Sequence, residues 1–244
     1  MLTTATDAWH TLVPPADDRH GPLQPLLVVL TVVSGLVDAF SYLVLGHVFV
    51  ANMTGNVVFM AFALVGAKGF SLAASSLALG AFVLGAVSSG RLVTHLGPRR
   101  GRMLAISTAC EAVLVTGAMV IGWTATALGV GAIRYVLVLL LGLAAGLQNG
   151  TARKLAVPDL TTTVLTMTIT GAAFESRLAG GSGSRIGRRG LSAFAMFAGA
   201  LIGAAVVLHV SEVLGLLCVV LLLALVTVVA GRTSRSHPAW DRAT

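Results

Sequence analysis

An all-α integral membrane fold is expected here: six spanning helices plus two re-entrant or broken helical segments, arranged as an inverted repeat. Three observations carry that expectation. Charged residues make up only 10% of the chain and hydrophobic residues 56%, with a mean hydropathy of +0.93, whereas a soluble domain carries about 25% charged residues. Apolar runs near the length needed to cross a bilayer, about 20 residues for about 30 Å of hydrocarbon, recur along the chain. Basic residues gather in the connections between those runs, where positive charge orients a polytopic chain. Together they exclude a soluble enzyme, a secreted disulfide module and a disordered chain.

Residues 1–22 are polar and hold Pro14, Pro15 and Pro22 with Asp7, Asp17 and Asp18. They lack the positive start and apolar core of a secretory leader and read as a disordered tail. Residues 23–230 read as a single membrane domain with halves at about 24–123 and 133–230. Residues 231–244 read as a basic tail with Arg232, Arg235 and Arg242.

Candidate apolar stretches lie at 24–46, 48–67, 70–92, 103–123, 133–151, 157–175, 191–209 and 212–230. Two of them differ from the rest. The stretch 48–67 carries Asn52, Thr54, Gly55 and Asn56 near its start, and 157–175 opens with Pro158 and Asp159 before a run of threonines. If every stretch crosses, the arginine-rich connections 91–102 and 176–190 fall on opposite faces; eight spanning helices remain the alternative. If these two enter and leave on one face, both connections, Arg153, Lys154 and both termini lie on the cytoplasmic face. Only Lys68 and Arg134 then remain outside. In a cell membrane the net charge of +7 thus reads as topology, and no nucleic-acid motif accompanies it.

An internal repeat supports the six-span reading. The run from Val50 to Val58 (VANMTGNVV) aligns with Val157 to Leu165 (VPDLTTTVL) at an offset of 107 residues. Upstream, Gly35-Leu-Val-Asp38 matches Gly146-Leu-Gln-Asn149; downstream, Ala81, Gly85 and Ser89 match Ala195, Gly199 and Gly203. Three crossings per half is an odd number, so the halves are inverted, a recurrent transporter architecture with broken helices at the midplane.

The polar residues within these runs are the candidate site. Asp38 lies about 14 residues into the first run, at a depth where an ionisable group normally faces protein or water. It is the first candidate for proton or ion coupling, with a helix-stapling carboxyl as the alternative. Glu111 is a secondary candidate and reads more readily as structural. Asn52, Thr54, Asn56, Asp159, Thr161 and Thr163 form the two polar openings, where Asn52 and Asp159 are placed to cap helix starts. Gln148 and Asn149 would line the same cavity from the second half. His47, at the turn into the first broken segment, is a secondary candidate for pH sensing.

Cys110 and Cys218 read as small apolar residues. The glycine-rich stretch 180–187 fits no phosphate-loop pattern. His47, His95 and His209 lack metal-ligand spacing, and no nucleophile elbow occurs. No cofactor, metal or enzymatic activity is expected.

At GLVDA (35–39), GHVFVANMTGN (46–56), GLQN (146–149) and VPDLTTT (157–163) the chain resembles the YoaK-type family of bacterial multi-pass membrane proteins. The resemblance spans about 24–230 and implies about six membrane spans, with no established activity attached. Gly150 departs from the family pattern, where alanine is expected.

The residues point to a secondary transporter or permease for a small polar solute or ion. A passive channel, or a membrane scaffold or sensor working through its basic loops, stands as the alternative. The partners expected are the bilayer and the solute; the small-residue faces of 81–89 and 195–203 read as packing, either within the chain or between two copies of it.

Overall fold

The structure is a computed structural model that describes residues 2–15, 17–97, 99–124, 128–160, 165–176, 179–181, 186–236 and 238–241. It is all-helical. In chain order the helices are α1 (Leu2–Leu12), α2 (Leu23–Val44), α3 (Met53–Leu64), α4 (Leu72–Leu96), α5 (Arg100–Thr124), α6 (Gly131–Leu155), α7 (Leu165–Phe174), α8 (Ile186–His209), α9 (Glu212–Ser236) and α10 (Pro238–Asp241). Among the described residues, the six helices α2, α4, α5, α6, α8 and α9 are long and apolar enough to cross a membrane, and α3 and α7 are short apolar helices.

Local chemistry sets the boundaries. Pro22 precedes α2 and Pro25 sits in its first turn, where a missing N–H costs nothing. Ser71 caps α4 by accepting from Ala74 N at 3.2 Å. Gly97, at φ 72°, ends α4, a backbone region open to glycine. Several helices extend past the apolar runs into basic residues: Arg100 opens α5, Arg153 and Lys154 close α6, and Arg188 and Arg189 start α8. Arg153 and Lys154 are exposed, long basic side chains that reach water from a helix continuing beyond its apolar run, whereas Arg100 and Arg189 are buried.

The helices alternate in direction. One end of the bundle gathers the C-termini of α2, α5 and α8 with the N-termini of α4, α6 and α9. There Arg134 of α6 donates to Gly46 O after α2, at 3.2 Å, His47 bonds Gly69 O just before α4, at 3.1 Å, and Gly122 of α5 faces Val213 of α9. The opposite end gathers the N-termini of α2, α5 and α8 with the C-termini of α4, α6 and α9. Among the described residues Lys68 and Arg134 are the only Lys or Arg at the first end; the rest lie at the second.

Pairing between helices recurs between the halves. The principal contacts are α4 with α6, α2 with α8, and α5 with α9, followed by α5 with α6 and α2 with α9; α3 lies on α4 and α7 on α8. Exchanging α2–α5 for α6–α9 maps this set onto itself. The correspondence extends to single atoms. A Cβ at Gly35 would meet Met196 O and Ala200 N, and one at Gly146 would meet Phe82 O and Ala86 N. Gly199 lies against Val32 O and Gly85 against Leu143 O. The small-residue faces of α4 and α8 are therefore filled within the chain, with Ala81 1% and Ala195 4% exposed. Gly150 faces Ser89, whose Cβ would lie 2.7 Å from an added one, so the departure from alanine fits a tight crossing. Hydroxyl pairs tie the same seams: Ser107 with Thr151 at 2.5 Å, Ser89 with Thr151 at 3.0 Å, and Thr108 with Thr227 at 2.8 Å.

Both termini differ from the disordered tails expected. Helix α1 lies on α8, where Gly187 closes on Thr4 O and Asp7 Oδ2 accepts from Arg188 N at 2.9 Å, a carboxylate at a helix start. Helix α9 continues to Ser236, and α10 folds back on α5, with Asp241 accepting from Gly101 N at 2.6 Å and Ser234 Oγ at 2.9 Å. Nearby, the buried Arg100 guanidinium donates to Leu155 O at 2.6 Å and to His20 Nδ1 at 3.0 Å. Burial and the Arg100 charge hold the His20 imidazole below its ordinary 6.5. Above that pH the ring is neutral in folded and unfolded chains alike; below it the unfolded chain binds the proton more readily. The melting temperature in detergent is expected to fall as pH drops below 6.5, and His20→Gln flattens that part of the curve. An identical pH profile in the variant would contradict this.

Candidate functional site

Asp38 lies on the buried face of α2, between the body of the bundle and residues 48–52. That segment is not helical, so its N–H groups have no helical partner. Asp38 supplies one: Oδ1 accepts from Val50 N at 3.0 Å and Ala51 N at 2.8 Å, and Oδ2 accepts from Asn52 Nδ2. Asn56, fully buried, closes the same segment from α3. Its Oδ1 accepts from Phe49 N at 2.9 Å and its Nδ2 donates to Phe49 O at 2.5 Å, as a neighbouring strand would. Asn52 occupies the N-cap position of α3 but makes no side-chain cap bond, because its amide is engaged by Asp38. The capping role expected for it is thus replaced by a bridge. Thr54 is exposed on the outer side of α3, away from these groups, and does not belong to a polar opening.

The ends of this excursion meet. His47 bonds Gly69 O and lies edge-on to Tyr42 at 5.0 Å, within a cluster that includes Phe49, Phe59, Phe62 and Phe70. It holds the excursion's ends together.

The second excursion is closed by charge. Asp159, at φ 64°, accepts from Arg189 Nε at 2.9 Å; the helix start that it was expected to cap lies outside the described residues. Arg189 Nη2 also donates to Glu175 Oε1 at 3.0 Å. One guanidinium at the start of α8 thus ties residues 159 and 175. Sequence reasoning placed Arg189 in a basic connection and missed this role; an arginine in the first turn of an apolar helix, following a lone Asp159 in the same half, was the available signal. Thr161 and Thr163 lie outside the described residues. Asn149 donates to Ala145 O of its own helix at 2.9 Å and does not line the cavity described next.

Among the described residues, one group of candidates faces a void halfway along the bundle. Val33, Ser34 and Val37 of α2, Ala51, Glu111 and Val115 of α5, and Leu141, Ala144, Ala145 and Gln148 of α6 enclose about 10 Å³, the room of about one water. Gln148 Nε2 donates to Ser34 Oγ at 2.8 Å and reaches Leu30 O at 3.3 Å. Gln148 Oε1 and Glu111 Oε2 are buried with no hydrogen-bond partner among the described residues. Glu111 is 3% exposed and sits at the middle of the 25-residue α5. Ala51 connects this void to the segment that Asp38 holds. Asp38 thus accepts from three donors, whereas Glu111 Oε2 has no partner among the described residues. Among the described residues no group of His, Cys, Asp and Glu is arranged to hold a metal ion.

A family model described as "Protein of unknown function (DUF1275)" matches residues 26–229, which take in α3 and α7 and nearly all of the six long helices. The chain is also 30% identical over 148 residues to the UPF0700 transmembrane protein YoaK of Bacillus subtilis (strain 168), covering 59% of this chain and 63% of that protein. The matched stretch is thus less than two thirds of that relative's length. No solved structure matches.

Proposed function

Because the chain belongs to the DUF1275 family of multi-pass membrane proteins, we propose that it is a secondary transporter for a small polar solute or ion, built from two inverted halves, with the bundle closed around its midplane site. The observation that carries this reading is the void flanked by Glu111 Oε2 and Gln148 Oε1. Two buried oxygens without partners among the described residues would cost about 1–3 kcal/mol each if left bare, and they face a void with room for about one small polar occupant. Intramembrane carboxyls facing a cavity are characteristic of proton and ion pathways. Binding at the midplane between inverted repeats, beside segments of irregular backbone, is the architecture of many carriers.

In this reading Glu111 is the coupling group and binds a proton or cation, with Gln148 and Ser34 completing its surroundings. Asp38 has a positioning role: it holds residues 50–52, which close the void from one side. The basic end is cytoplasmic by the charge rule, which puts both termini inside and the two excursions on opposite faces of the cell membrane. The alternating helix directions and the recurring α2–α8 and α6–α4 crossings support the inverted relation.

The test uses protein reconstituted in liposomes on a solid-supported membrane, challenged with a panel of small polar solutes under proton and sodium gradients. Glu111→Gln is expected to lower solute-driven charge movement at least tenfold, on the scale set by losing an ionisable coupling group. Glu111→Met is expected to raise the melting stability by about 1–3 kcal/mol, since it removes an unpaired oxygen. Undiminished currents in Glu111→Gln would refute the coupling role. Steady currents that persist without any solute gradient would favour a channel.

A further inference from the structure

A second cavity lies at the basic end, between the start of α5 and the end of α9. It measures about 600 Å³ and is lined by Arg99, Arg102, Ala105, Ile106, Gly231, Ser234, Arg235 and Asp241. We propose that it binds the headgroup of an anionic phospholipid, with one acyl chain lying in the slot between α5 and α9.

Charge is the first argument. Arg99, Arg102 and Arg235 are exposed, and none makes a described hydrogen bond or ion pair. Such guanidinium forks match phosphodiester oxygens in pairs. Asp241, also in the lining, accepts from Gly101 N at 2.6 Å and from Ser234 Oγ at 2.9 Å, and three guanidiniums outnumber its one carboxylate.

Position is the second argument. Arg99 immediately precedes α5, and Arg235 lies in the last turn of α9, so the guanidiniums ring the mouth of the groove where both helices leave the apolar body. Ala105 and Ile106 lie one to two turns deeper on the same face of α5. Opposite them Gly231 leaves the slot open: a Cβ added there would find only Ala105 Cβ, at 4.0 Å. A charged mouth continuing into an apolar slot on the bilayer side suits a lipid rather than a free phosphate. Basic pockets between spanning helices on the cytoplasmic side take such headgroups.

The test is titration of the full chain in mild detergent with fluorescent phosphatidylglycerol, against phosphatidylcholine. Phosphatidylglycerol is expected to bind the parent protein more tightly. The Arg102→Gln/Arg235→Gln pair is expected to lose about fivefold in affinity per arginine, with phosphatidylcholine binding unchanged. The charge-matched Arg153→Gln/Lys154→Gln pair, exposed on α6, is expected to keep parental affinity. The single change Arg99→Gln, at an exposed position before the helix, provides the same reading if the double variant does not fold. Equal binding of the two lipids, equal loss in the α6 control, or competition by inorganic phosphate at the lipid's own strength would each overturn the proposal. The last of these would assign the groove to free phosphate.

Discussion

Gly146→Leu and Gly199→Leu are expected to prevent assembly of the bundle. Even alanine at either position is expected to cost about 3–5 kcal/mol, the upper range for overpacking. These glycines lie where α6 crosses α4 and α8 crosses α2. At Gly146 an added Cβ falls on Phe82 O and lies 3.0 Å from Ala86 N. At Gly199 it falls on Val32 O, with the Val32 Cα at 2.9 Å. The opposing atoms are backbone, so no rotamer change relieves the clash and the helices must separate. Separation opens the seam along its whole length. In lipid, where no hydrophobic force draws helices together, the dispersion lost there is the main source of association. Gly35 and Gly85 make the reciprocal contacts with Met196 O and Leu143 O and are expected to behave alike. Gly80 and Gly90, with nothing within 4 Å of an added Cβ, are the controls: alanine there is expected to stabilise by up to about 1 kcal/mol through helix propensity. Melting temperature and monodispersity in detergent provide the measurement. A Gly146→Ala protein melting with the parent would show that the crossing is looser than described.

Asp38→Ala is expected to release residues 48–52. Val50 N, Ala51 N and the Asn52 amide all lose their acceptor, in a place where Val50 is 0% and Ala51 3% exposed. Removing one partner from a buried charged hydrogen-bond set costs about 3–5 kcal/mol. Asp38→Asn is expected to fall between, because an amide keeps one acceptor oxygen and turns a donor toward another donor. Cysteine placed at Ala51 provides a local readout. In the parent background it should resist maleimide, and with Asp38→Ala its labelling is expected to rise at least tenfold. An unreactive cysteine and an unchanged melting temperature would remove Asp38 from its positioning role. The readout also separates that role from coupling, since Glu111→Gln should leave this labelling unchanged.

The six long helices were legible because hydropathy is a property of consecutive residues. The expected runs at 24–46 and 133–151, for instance, fall on α2 and α6. Their ends were less so: α6 runs on through Arg153 and Lys154, since a helix in a membrane ends where its backbone can no longer close hydrogen bonds, not where its side chains turn polar. The two broken segments announced themselves by Asn52, Asn56 and Asp159 inside apolar sequence. The matched glycines Gly35 and Gly146, and Gly85 and Gly199, were visible in the sequence and lie at corresponding crossings.

Composition and pattern along the chain thus determined that this protein inhabits a bilayer, and left six long helices or eight; the six followed from the structure. The roles of individual polar groups followed only from the folded arrangement. Asp38 and Glu111 look alike as single acids within apolar runs, yet three donors converge on the first while one oxygen of the second lacks any. Nor did local sequence reveal that Arg189 would join Asp159 to Glu175, or that the polar termini would fold as α1 and α10. Hydropathy is summed over neighbours in the chain, whereas a hydrogen bond is made or lost between atoms that only helix packing brings within 3 Å of each other, so no reading along one strand of residues reaches it.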